Sequence, residues 1–92
     1  MATLLSNGNA TGSAVEWGGG QGHFTAEASN WNGATATLQF QTDNDTWLDA
    51  GSDTTLTADG HGRFFLPQTN IRIEITVATP TAVYSFANLF GL

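Results

Sequence analysis

The strongest constraint on this chain is a two-residue alternation of apolar and polar side chains, in short runs closed off by glycine and asparagine. Over 22–29, Phe24, Ala26 and Ala28 share one face, while His23, Thr25, Glu27 and Ser29 share the other. Over 34–41, Ala34, Ala36, Leu38 and Phe40 alternate in the same way with Thr35, Thr37, Gln39 and Gln41. A period of two is that of a pleated strand, and no stretch shows the 3.6-residue period of an amphipathic helix. Asn32-Gly33 lies between the two runs, and this dipeptide favours tight turns with positive φ, so an antiparallel hairpin is expected there.

Further short strands are expected over 14–17, 46–49, 54–58, 63–66, 71–77 and 82–90, separated by turn signals such as Gly18-Gly19-Gly20, Asp59-Gly60 and Thr79-Pro80. The run over 71–77 puts Ile71, Ile73, Ile75 and Val77 on one face. About eight short strands at this spacing predict an all-β fold, a single small antiparallel β-sandwich or barrel. The domain is expected over 15–92. Residues 1–14 are small, polar and punctuated by glycine, and are expected to form a flexible N-terminal arm. Leu4 and Leu5 in that arm are expected to dock on a neighbouring chain.

Composition narrows the function. Two basic and eight acidic residues give a formal charge of −6, with no lysine. Electrostatic binding to nucleic acid or to an anionic membrane surface is therefore excluded. The longest apolar run is far short of the ~20 residues needed to cross a bilayer. The first residues lack the basic segment that opens a signal peptide. Cysteine is absent, which rules out disulfide scaffolds and cysteine-based zinc modules. A 92-residue fold buries only about 60–65% of the surface its unfolded chain exposes, so partner subunits are a natural source of further burial. The terminal strand, with Tyr84, Phe86 and Phe90 on one side and Val83, Ala87 and Leu89 on the other, fits that need.

Sites for chemistry are sparse. Asp43, Asp45, Asp49 and Asp53 begin like a calcium loop, but Leu48 stands where that loop needs glycine and Thr54 where it needs glutamate. Solvated turn carboxylates are the expected reading. Glu16, Glu27 and Glu74 are the candidates for a carboxylate pair, and nothing in their spacing brings two together. His23 and His61 make a weak metal case unless a symmetry axis brings copies together. No serine stands in a nucleophile elbow. No enzyme activity, metal or cofactor is expected. Trp17, Trp31 and Trp47 suggest sugar stacking, with Trp31 the best candidate ligand residue because it lies between two asparagines at a turn. Trp47 is expected over the core.

Five segments carry a resemblance: Leu38-Gln39-Phe40-Gln41; Asp45-Thr46-Trp47-Leu48-Asp49-Ala50-Gly51; Thr55-Leu56-Thr57-Ala58-Asp59-Gly60; Phe64-Phe65-Leu66-Pro67; and Ile71-Arg72-Ile73-Glu74-Ile75. In this order they resemble small β-rich virion proteins of tailed bacteriophages, over about residues 33–79. The Trp-x-Asp-x-Gly piece is also shared by carbohydrate-binding sandwiches. The resemblance implies a capsid decoration (cement) protein on the outer surface of the virion, bound to the major capsid protein and self-associated, commonly as a homotrimer. Tyr84, Phe86 and Phe90 are then expected to form the self-association surface. Leu4, Leu5, Arg63 and Arg72 are expected to contact the capsid, the two arginines pairing with acidic residues of a neighbour or, alternatively, with Glu74 or Asp59 in the same chain. A carbohydrate-binding module, or another head or tail-fibre structural domain, is the alternative.

Overall fold

A computed structural model describes residues 2–51 and 53–89. Nine strands form two antiparallel sheets and no helix is present among these residues. They are β1 (Ala2–Gly8), β2 (Val15–Trp17), β3 (Gly20–Asn30), β4 (Thr35–Gln41), β5 (Trp47–Asp49), β6 (Thr55–Leu56), β7 (Gly60–Leu66), β8 (Thr69–Thr76) and β9 (Thr81–Leu89). One sheet runs β1-β9-β3-β7; the other runs β2-β8-β4-β5, with β6 also paired to β4. The expected all-β sandwich is the fold observed.

The alternation read from the sequence sets which side chains face inward. Phe24 and Ala26 of β3, Phe64 and Leu66 of β7, and Ala87 of β9 meet Ala36 and Leu38 of β4 and Ile71 and Ile73 of β8. Trp17 closes one end of this core, its ring 4.9 Å from that of Phe64 and tilted by 57°. Fully burying a side chain of this size contributes roughly 1.5–3 kcal/mol, which lets so short a chain hold its fold without a covalent staple.

Three expectations are corrected. The first concerns Asn32-Gly33. The tight turn forms as expected: Asn32 and Gly33 have φ of 52° and 83°, and the Ala34 amide donates to the Trp31 carbonyl at 2.8 Å. Yet β3 and β4 do not pair, because β3 lies between β7 and β9 while β4 lies beside β8. The turn carries the chain from one sheet to the other. Two runs with the same alternation can bury their apolar faces side by side or face to face, and here they do so face to face. The Asn32 side-chain amide pins the crossing by donating to the Thr79 carbonyl at 3.0 Å.

The second correction concerns the arm. Ala2–Gly8 is an edge strand paired with β9, and Leu4 is only 3% exposed within the chain's own core. Behind it, the Gly12 amide donates to the Ile73 carbonyl at 3.0 Å and Thr11 Oγ1 accepts from the Ile75 amide at 3.1 Å. A run of small polar residues looks like a tail in sequence, but here its backbone groups find partners in the sheets. The third correction is Val77, expected to share a face with Ile71, Ile73 and Ile75. Thr35 pairs with Thr76, so β8 runs out of partner at that point. Val77 turns away with φ of 75° and 84% exposure, an unusual conformation for a β-branched residue.

Candidate functional site

The two outer faces of the sandwich differ in chemistry. On the β1-β9-β3-β7 sheet, residues flanking the core positions point outward: His23, Thr25 and Glu27 on β3, His61, Arg63 and Phe65 on β7, Tyr84 and Phe86 on β9. Cross-strand register places His61, Thr25, Phe86 and Thr3 in one row and Glu27 beside Tyr84 in the next. Phe65 is 71% exposed and Tyr84 37%, while Phe86 is half-buried. Val83, Ser85 and Ala87 of β9 face inward and are buried. Tyr84 and Phe86 therefore share the outer face, as their expected role requires. Phe90, the third residue expected there, lies outside the described residues. Phe65 was missed in the sequence reading, although the inward Phe64 and Leu66 on either side of it fix its direction.

The other outer face is polar. Trp47 pairs with Gln41, not over the core but on the solvent side, where the Arg72 guanidinium carbon lies 4.4 Å from its ring centre. That corrects the core placement expected for Trp47; it is Leu48 that shares the inward side with Phe40. A ladder of side chains runs across this face. Arg72 Nε donates to Gln39 Oε1 at 3.0 Å, Gln39 Nε2 donates to Asp49 Oδ1 at 3.3 Å, and Asn70 Nδ2 donates to Gln41 Oε1 at 3.0 Å. Arg72 also lies 4.0 Å from Glu74, so the intramolecular alternative weighed for this arginine is realised. Next to the ladder, Glu16, Gln41, Asp43, Asp45, Gln68 and Asn70 line an open polar groove.

The remaining sequence candidates are dispersed. Leu4 is spent inside the core and Leu5 packs against it. Arg63 stands outward on β7, opposite His23. Asp43 and Asp45 sit in the β4–β5 loop, and Asp49 is tied to Gln39. Among the described residues, no three histidine, aspartate or glutamate side chains converge as a metal cage would require. Glu27 lies on the opposite outer face from Glu16 and Glu74.

Trp31 is tethered. Its indole N–H donates to Asp59 Oδ1 at 2.8 Å, and its ring packs against the core cluster. The same carboxylate oxygen accepts the Ala28 amide at 3.0 Å. The Trp31 hydrogen bond first, and the Ala28 amide second, hold the Asp59 carboxyl below the usual aspartate value of 3.8. A depressed carboxylate contributes stability that is present above its unfolded value and is lost as pH falls through the lower folded value. The Trp31 indole N–H resonance is therefore expected to move in a single step below pH 3.8, and that step should vanish in Asp59→Asn. A step centred above 3.8 would refute the tether.

Comparison with family models, curated proteins and solved structures found no match.

Proposed function

We propose that this chain is a virion decoration protein of the tailed-phage cement type, which acts by docking and not by catalysis. It self-associates, as a homotrimer, through the outer face of the β1-β9-β3-β7 sheet and binds the outside of the major capsid shell. The observation that carries this reading is the contrast between the two faces. Tyr84, Phe86 and Phe65 stand on a face whose charged residues are Glu27 and Arg63, while Glu16, Asp43, Asp45, Asp49 and Glu74 gather on or beside the other. Apolar aromatics on a face poor in charge are the composition of an interface centre, and an acidic opposite face suits the solvent side of a dense array. Weak contacts repeated over a shell then add through avidity.

Light scattering of the purified chain is expected to give the mass of a trimer, and Tyr84→Glu with Phe86→Glu is expected to reduce it to a monomer with unchanged circular dichroism. In a lysate carrying particles, the wild type is expected to sediment with them and the double variant to stay behind. A wild-type monomer at high micromolar concentration, absent from particles, would overturn the proposal. The carbohydrate-binding alternative draws on the polar ladder, since amides and carboxylates around Trp47 match hydroxyl-rich ligands. A monomer whose glycan binding is lost in Trp47→Ala would establish that reading instead.

A further inference from the structure

His23 and His61 lie at positions 38 residues apart in sequence and become neighbours only in the folded sheet. Thr25 pairs with His61 and His23 with Arg63, so the two histidines are diagonal neighbours on adjacent strands. Both project outward, because the intervening Phe24 and Gly62 are buried on the inner side. Their ring centroids are 5.5 Å apart and the ring planes meet at 69°.

That separation has a chemical meaning. Zinc binds an imidazole nitrogen at about 2.0–2.1 Å, and the nitrogen lies about 1.2 Å from its ring centre, so two rings on a tetrahedral ion have centres about 5.3 Å apart. The observed spacing is within a few tenths of an ångström of that value, on two paired strands that hold the backbones fixed. We propose that His23 and His61 form a two-histidine chelate for a borderline divalent transition metal such as Zn²⁺. Each imidazole ligates through one nitrogen and keeps the other for a hydrogen bond, as histidine ligands ordinarily do. Water completes the four positions. Neutral nitrogen donors of this kind favour zinc and its late first-row neighbours over calcium or magnesium. The chelate needs only one chain, and it stands on the outer face that carries Tyr84 and Phe86, so the metal and the proposed self-association would compete for that surface.

The test is calorimetric titration of the tag-free protein with zinc chloride at pH 7.5, with the imidazole resonances followed in parallel. Saturable binding is expected, at one ion per chain. His23→Gln and His61→Gln are each expected to weaken it by at least about tenfold. Both side chains project from the outer face, so circular dichroism of the variants should match the wild type. Absence of saturable binding up to millimolar zinc would overturn the proposal. So would zinc binding that survives either single substitution, which would place the ion on carboxylates or on one histidine alone.

Discussion

Gly62→Ala is expected to lower the unfolding free energy by about 3 kcal/mol, near the upper end for an overpacked site. A methyl group at this position would overlap the backbone carbonyl oxygen of Asp53 and press to 2.9 Å on the Phe24 ring. Backbone cannot swing aside as the end of a flexible side chain can. Either Asp53 must move off the sheet or β7 must separate from β3, and both routes open the core around Phe24. Gly51→Ala is the matched control: nothing lies within 4 Å of the added carbon there, and its effect is expected within about 0.5 kcal/mol of zero. Denaturant midpoints of the two variants decide the matter. Equal midpoints would mean that the Asp53 backbone does not seat against Gly62.

Leu4→Ala is expected to cost about 2–5 kcal/mol, the range for emptying a buried leucine site. Small domains hold only about 5–15 kcal/mol in total, so the loss should be plain in any thermal or denaturant scan. A leucine on a frayed terminus would change stability by less than about 0.5 kcal/mol. The experiment thus separates a structural first strand from a free arm. The same result bears on capsid docking, because a side chain 3% exposed in its own core offers little to a neighbour.

The parts of this fold legible in sequence are those that depend on neighbours along the chain. Phe24, Ala26, Leu38 and Ile73 were read onto apolar faces from local alternation, and they are inward. The Asn32-Gly33 turn was read from its dipeptide, and its backbone takes the expected positive φ. What remained hidden was decided by partners far away in sequence. Which sheet receives β4 depends on its pairing with β8, and nothing near Asn32 records that. Residues 2–8 look like a tail until β9, about 80 residues later, provides a ladder for them. Trp47 was assigned to the core by its place in a strand, whereas the Arg72 guanidinium gives it a polar-face partner. That Tyr84 and Phe86 share a face followed from the period of β9, but both faces of that strand are apolar, and only the packing of Val83, Ser85 and Ala87 into the core turns the aromatics outward.

The insertion of β9 between β1 and β3 has a consequence for how the protein is made. Until residues 81–89 leave the ribosome, the long strand β3 has one open edge and β1 has no partner in its sheet. Early segments of the chain must therefore wait for its last strand before the first sheet can close. Folding of this kind is governed by contacts of high sequence separation and is slow compared with helical domains of equal length. A nascent or prematurely terminated chain exposes a ready template for intermolecular strand pairing. High expression of chains ending before residue 81 should therefore yield insoluble material, while the full chain protects that edge with its own C-terminal strand.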